Sequence, residues 1–520
     1  MSGISPDKTP IDGSGAGSGD GSDDAVGDGF GGGFDDVGGK VARGAAWIGG
    51  GGVIVRMIGL INTLIIARLL TPDDFGVVAI GVTVTQLLQN ISDIGVAQAV
   101  VRYRQADRRE LDTLFTLSLL RGLLVMAILW AAAAGAGAFY EDERVGRIFL
   151  GMGAVALLQS LFNPKLHEFQ RDLDFSKEVY VNLIDKVAAV IASIAIALVF
   201  KSYWAIVAGL AAGATARLIV SYAFRPYLPR ISLAAFRDLI GFTGWLTGVS
   251  FMAALNNKID ALFLGRILGP IPTGLYYMGT QLAWLPGSEI AQPIAKALYP
   301  GLSSLQDDPR AVREAFLRGV EALGIVALPA AVGCAFVAED MVSVLLGAQW
   351  ADAAPIISLY GGLIGLIAVY SSVQEYAVAL GKTRAVFIRE TTFFLIRMPI
   401  FIWASITYGL MGAVWSLVGL GVLHAAFNGA LYAVIARANP LEPLWRLRRS
   451  IIALLALATY FLAVKPLLAF MPSLSPVVRL AIDVSLGAGF YAVALFGLWR
   501  LQGAPNSIER AILKTARFIS

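Results

Sequence analysis

The apolar residues of this 520-residue chain are gathered into successive stretches of about 20, separated by short charged or Pro/Gly-containing breaks. A helix of about 20 residues rises roughly 30 Å and satisfies its backbone hydrogen bonds internally, which is what crossing a bilayer requires. With 57% of residues hydrophobic and only 15% charged, the chain carries more oil than a water-soluble core needs. The reading is an all-α polytopic membrane protein of about fourteen transmembrane helices. Six spans fall near 44–69, 75–99, 112–138, 147–164, 178–200 and 203–224. Six more fall near 238–264, 273–299, 318–338, 354–380, 387–407 and 411–436, and a final pair near 450–470 and 477–499.

Residue scarcity removes whole classes of chemistry. Cys334 is the single cysteine, so there is no intrachain disulfide and no thiol-based metal cluster. His167 and His424 are the two histidines, which leaves little for histidine catalysis or a histidine-ligated metal. No catalytic residue, metal or cofactor is implied. The first 40 residues hold 13 Gly and a net charge of −6, a composition that reads as a disordered acidic tail. It lacks the regions of a cleavable signal peptide, so the first span, starting near Gly44, is expected to act as an uncleaved signal anchor.

Loop charge gives orientation. The even-numbered loops hold 21 Lys and Arg against seven in the odd-numbered loops, and basic residues accumulate on the cytoplasmic side. Both termini are therefore expected in the cytoplasm. The expected organisation is a cytoplasmic tail at 1–40, a first six-span lobe at 41–230, a second at 231–440, a helix pair at 441–502 and a basic cytoplasmic tail at 503–520.

The chain also repeats. Arg68-Leu69-Leu70-Thr71-Pro72 followed by Gly76 recurs 198 residues later as Arg266-Ile267-Leu268-Gly269-Pro270 followed by Gly274. The same offset aligns Gly81 with Gly279 and Asn62 with Asp260. Both copies fall between the first and second spans of a six-span block. Six is even, so the blocks share an orientation, an arrangement that transporters use with the substrate site between halves.

Charged side chains at membrane depth normally face a cavity or a partner. Arg56 in the first span shares a stripe with Gly49, Gly52, Gly59 and Thr63, which fits either a lumen-facing cation or close helix packing around a paired Arg. Asn256, Asn257 and Asp260 share an arc of the seventh span and can line a cavity together, whereas Lys258 points away from Asp260. Arg121, Asp185, Lys186, Glu289, Glu375 and Arg397 complete the set. Arg56, Arg121, Asn256, Asn257 and Arg397 are the candidate cavity residues. Asp185, Lys186, Asp260, Glu289 and Glu375 are candidates for binding a coupling ion or balancing charge. The positive balance of the first block favours an anionic substrate.

Ordered motifs carry a resemblance. Arg68 to Gly76, Asp93-Ile94-Gly95, and Phe169-Gln170-Arg171-Asp172-Leu173-Asp174-Phe175 lie in the first block. Asp260-Ala261-Leu262-Phe263-Leu264-Gly265-Arg266, Gly274-Leu275-Tyr276, Leu298 to Ser303, and Gly347-Ala348-Gln349-Trp350 before Pro355 follow in the second. Together they resemble the polysaccharide transporter (Wzx-type oligosaccharide flippase) family, in particular its WzxC-like branch. The resemblance implies a V-shaped exporter fold of two six-helix lobes with alternating access. It also implies, as cargo, an oligosaccharide on undecaprenyl diphosphate moved to the outer leaflet of a bacterial inner membrane for exopolysaccharide, capsule or O-antigen assembly. Expected partners are the lipid-linked oligosaccharide, membrane lipid and the polymerase and glycosyltransferases of the same pathway, and not nucleic acid. A cation-coupled multidrug antiporter of the same superfamily is the alternative. A membrane glycosyltransferase, polymerase or ligase is the alternative of another class; it would draw on Asp73 and Asp74, which fit better as caps of the second span.

Overall fold

The computed structural model describes residues 50–91, 108–171, 175–236, 244–285, 287, 302, 305, 308–468, 475–503 and 508–510, which form helices and turns with no strand among them. The first block contains α1 (Gly52–Leu69), α2 (Pro72–Ile91), α3 (Arg108–Tyr140), α4 (Glu143–Ser160), α5 (Phe175–Phe200) and α6 (Trp204–Phe224). The second contains α7 (Gly244–Lys258), α8 (Asp260–Ile267), α9 (Pro270–Ala283), α10 (Pro309–Phe336), α11 (Ala338–Leu345), α12 (Ala354–Ala379) and α13 (Thr383–Ala436). Helices α14 (Arg448–Thr459) and α15 (Pro476–Leu501) follow. Among the described residues, eight helices are long and apolar enough to cross a membrane. Their outer faces carry exposed Val199, Ile219, Trp403 and Val493, a surface that suits hydrocarbon rather than water.

Helix α13 is the longest, at 54 residues, and would measure about 81 Å if straight. It is a hairpin instead. Gly409, at φ 63° and ψ −150°, is its one non-helical residue. Arg389 meets His424 at 3.0 Å and the Phe393 ring meets that of His424 at 4.9 Å, so the two arms run back along each other. The chain thus turns where the sequence separates the spans at 387–407 and 411–436. The stretch at 238–264, read as one span, is broken at Ile259 into α7 and α8, where Leu262 N–H donates to the Ile259 carbonyl in a tightened turn.

Within the first block α3 packs on α4 around Val125, Leu129, Ile148, Phe149 and Met152, while α5 packs on α6 and α1 on α5. In the second, α10 packs on α12, and α12 and α7 on α13. The rings of Tyr376 and Tyr432 lie 4.8 Å and 5.6 Å from that of Phe316 in its core. Helices α14 and α15 pair with each other and lie on α10. Tyr460 Oη donates to Asp483 (2.9 Å), Lys465 pairs with Asp340 (2.7 Å) and Asp483 (3.0 Å), and Arg449 pairs with Glu321 (2.7 Å) and Glu509 (3.3 Å).

The two repeat corners start their second helices alike, with Pro72 opening α2 and Pro270 opening α9, a position where a missing N–H costs nothing. The first corner is capped by side chains: Thr71 N and Oγ1 donate to Asp74 (3.1 and 2.7 Å), and Asp74 N donates back to Thr71 Oγ1 (3.3 Å). Asp73 pairs with Arg144, whose Nη2 lies 3.0 Å from Oδ1. Both carboxylates that a glycosyltransferase would draw on are thereby committed to a cap and an ion pair.

Candidate functional site

The two blocks meet through their repeat corners, and they meet reciprocally. A Cβ on Gly76 would lie 1.9 Å from the carbonyl oxygen of Pro270, and one on Gly274 would lie 1.8 Å from that of Pro72. Only glycine allows α2 and α9 to touch backbone to backbone at these points. One turn further along each helix, Gly81 packs on Ile148 of α4 and Gly279 on Ile356 of α12, so the aligned glycines also seat equivalent helices of the two blocks.

The arginines of the repeat are exchanged across the same seam. Arg68 Nε donates to the Leu345 carbonyl at 3.2 Å and its Nη2 to that of Val344, while Arg266 pairs with Glu141 at 3.2 Å and lies over the Phe139 ring at 5.6 Å. Gln349 Nε2 donates to the carbonyls of Ala67 (2.7 Å) and Leu70 (2.9 Å), and Trp350 Nε1 donates to Ala67 (2.7 Å). Phe75 meets the Trp350 ring edge-on at 5.2 Å. Buried Ile66, Leu70, Leu275, Met278, Leu346 and Ile356 fill the seam. The blocks are therefore closed against each other at the end carrying the odd-numbered loops.

Further from that end, a side-chain bond also crosses between the blocks: Lys258, the last residue of α7, donates through Nζ to Oε1 of Gln86 on α2. On the same helix Gln89 bonds Gln159 of α4 (2.9 Å) and Asn90 donates to the Gln86 carbonyl (2.8 Å). Asn257, beside Lys258, is exposed, with Nδ2 donating to the Ala253 carbonyl at 2.8 Å.

Asn256 and Asp260 face inward, away from Asn257. Asn256 Nδ2 donates to Glu390 Oε2 (2.8 Å), and Glu390 pairs with Arg389 (3.0 Å). Asp260 Oδ2 accepts from Tyr276 Oη (2.5 Å) and from Arg397 Nη2 (2.5 Å). Asp260 and Arg397 are each 5% exposed. The structure thus separates the expected trio: Asn257 stands in the open while Asn256 and Asp260 join a buried network with α13. Arg397 lies in that network and not on an open wall. Aligned Asn62 makes the smaller counterpart in the first block, accepting from Ser193 of α5 at 2.9 Å.

Arg56 is exposed on α1 and its Nε donates to the Gly52 carbonyl at 3.2 Å, so it lies back along its own glycine stripe. Arg121 is half-buried on α3, and Lys186 on α5. Asp185 packs against α6 where Gly213 leaves room, 2.3 Å from where a Cβ would stand. Glu375 is half-buried on α12, and Glu289 lies outside the described residues. Sequence reasoning passed over Gln86, and also Arg217, whose guanidinium lies 4.5 Å over the Phe162 ring. The signal for Gln86 was present: Gln86, Gln89 and Asn90 form an i, i+3, i+4 polar stripe on an otherwise apolar span.

Two ion pairs outside the spans shift their carboxylates. Burial alone would raise Glu442, but bonds from Arg313 and Tyr432 outweigh it and hold the group below the usual carboxylate range. Asp142 is held low in the same way, burial being outweighed by Arg144.

The comparisons with known proteins agree with this geometry. A family described as polysaccharide biosynthesis protein matches residues 65–355. The lipopolysaccharide biosynthesis protein WzxC of Escherichia coli K12 is 26% identical over 338 residues, 62% of this chain and 66% of that protein's length. The teichuronic acid biosynthesis protein TuaB of Bacillus subtilis is 24% identical over 88% of this chain and 95% of its own length. Among solved structures, the lipid II flippase MurJ in an inward closed conformation superposes with a TM-score of 0.67, covering 86% of this chain and 98% of that one at 13% identity. An inward-facing multidrug resistance MATE family transporter of the MOP superfamily gives a TM-score of 0.60, covering 74% of this chain and 96% of that one at 13% identity. These likenesses establish an all-helical, multi-pass fold shared with MurJ and MATE transporters. The chain belongs to the polysaccharide biosynthesis protein family, which is one of membrane transporters and not of enzymes.

Proposed function

We propose that this protein moves a lipid-linked oligosaccharide, carried on undecaprenyl diphosphate, from the cytoplasmic to the outer leaflet of a bacterial inner membrane by alternating access. The observation that carries the reading is the reciprocal closure of two repeat-related blocks at one end, built from Gly76 against Pro270 and Gly274 against Pro72. Two bodies joined at such a seam can rock about a central site. The 21-to-seven loop-charge bias assigns the closed end to the outer face and both termini to the cytoplasm. On this reading the eight long spans are joined by the second arm of the α13 hairpin and by α2, α4, α7 with α8, α9 and α14, giving fourteen: two lobes of six at 41–230 and 231–440, and a pair at 441–502.

Cargo phosphate or acidic sugar falls to Arg56 and Arg121, since a guanidinium presents a planar fork of donors. Asn257 offers an open amide to sugar hydroxyls. Asp260 and Arg397, with Asn256 and Glu390, act as an internal strut between α7–α8 and α13. Asp185, Lys186, Glu289 and Glu375 remain candidates for coupling or charge balance. The shared MOP fold also accommodates multidrug antiport; the polysaccharide relatives favour the glycan. The test is deletion of the gene in its host and identification of the lipid-linked glycan held in the cytoplasmic leaflet. Accumulation that this chain reverses supports the reading, and absence of any accumulated glycan overturns it.

A further inference from the structure

Embedded cations in the second block and in the helix pair after it are answered by carboxylates: Arg397 by Asp260, Arg389 by Glu390, and Arg449 by Glu321. Lys258 differs. Among the described residues it has no carboxylate partner, and its ammonium is met by a neutral amide oxygen, that of Gln86. The polar side chains beside Gln86 on its helix, Gln89 and Asn90, are neutral amides, Gln89 bonded to Gln159 and Asn90 to the Gln86 carbonyl. Lys258 stands nine residues before the end of α8, roughly 14 Å along the helix, and so at membrane depth on the fourteen-span reading.

A half-buried ammonium at that depth with no counter-charge among the described residues is a functional group by default. Gln86 uses one of the three Nζ protons, which leaves two donors for an incoming anion. Lysine sits at the break between α7 and α8, beside the exposed Asn257, and it bonds a residue of the opposite block. We infer that Lys258 is an anion receptor between the blocks, taking a phosphate oxygen of the cargo in exchange for Gln86 and adding to the arginines Arg56 and Arg121. This rests on the flippase reading for its ligand, and it adds a consequence: cargo arriving at Lys258 breaks a bond that ties the blocks together. Binding and release of the inner contact are then one event, while Gly76 and Gly274 still hold the outer closure.

The experiment uses the full-length protein in phosphatidylcholine nanodiscs, with geranylgeranyl diphosphate as the probe in calorimetric titrations. Wild type is expected to bind the probe, Lys258→Gln to bind at least tenfold more weakly at an unchanged melting temperature, and Lys258→Arg to stay within a few fold. Gln86→Leu, which removes the competing oxygen, is expected to bind more tightly than wild type. A parallel arm adds phosphatidylglycerol to the disc. If this lipid displaces the probe from wild type but has no effect on Lys258→Gln, the receptor stands and its phosphate source is a phospholipid headgroup; if the probe resists displacement, the source is the diphosphate carrier. Equal binding by wild type and Lys258→Gln would remove Lys258 from the site and leave the flippase reading intact. Binding by Gln86→Leu that is unchanged or weaker would overturn the exchange. Failure of wild type to bind either phosphate source would overturn the receptor and the flippase reading together.

Discussion

Gly76 lies against the backbone of Pro270 exactly one repeat away from where Gly274 lies against the backbone of Pro72. The pairing is self-complementary, as expected of a two-fold contact, though it joins two parts of one chain. It explains why the corner motif recurs with Pro and Gly at fixed spacing: proline opens each helix, and glycine four residues later receives the other corner's proline carbonyl.

Gly76→Val and Gly274→Val should therefore each prevent outer closure. The obstructing atom is a backbone oxygen that cannot rotate aside, so relief requires the blocks to separate. Overpacking of this kind costs about 1–3 kcal/mol, enough to shift a two-state balance roughly five- to 150-fold. Polymer export is expected to fall at least tenfold at normal protein level, with spin-label distances across the outer seam widened. Unchanged distances and export would remove the glycine contact from the transport cycle.

Asp260 and Arg397 answer each other inside the second block. Removing one partner leaves a buried, uncompensated charge, typically costing about 3–5 kcal/mol. Asp260→Asn and Arg397→Gln should each lower the melting temperature in detergent strongly, and the double variant should recover part of the loss. A double variant as damaged as the sum of the singles would mean the two act independently.

Arg56 is exposed on α1, where its guanidinium lies along Gly52. Arg56→Ala and Arg121→Ala are each expected to reduce polymer export by about tenfold or more, the scale of a lost charge-assisted contact, with protein level and melting temperature held. Full export from Arg56→Ala would deny it a cargo role.

The spans were legible because hydrocarbon imposes one period and one length on any helix that crosses it. The corner repeat was legible because close backbone contact tolerates few residues, and Pro72, Gly76, Pro270 and Gly274 mark it by identity. Which way a polar side chain turns was harder. Asn256 and Asn257 are neighbours, yet one enters the network with Glu390 and the other stands exposed. A helical wheel gives relative angles on one helix and says nothing of which neighbour waits at each angle. For the same reason it could not show that Gln86 of the other block stands against Lys258.

Glu442 offers a test by pH. Arg313 Nη2 lies 2.6 Å from its carboxylate and Tyr432 Oη donates to it at 2.6 Å. Its folded value is held below the ordinary 4.5, so the unfolded chain takes up the proton first as pH falls. The stabilisation is therefore complete above about pH 5 and is lost as pH drops through 4.5 and on through the lower folded value. Glu442 is partly open to solvent, so the effect is modest, a few degrees of melting temperature at most. Glu442→Gln should lower the melting temperature at pH 7 and flatten its fall between pH 5 and pH 3. The same steep fall in the variant and in wild type would place the acid sensitivity elsewhere, with Asp142 beside Arg144 the next carboxylate to replace.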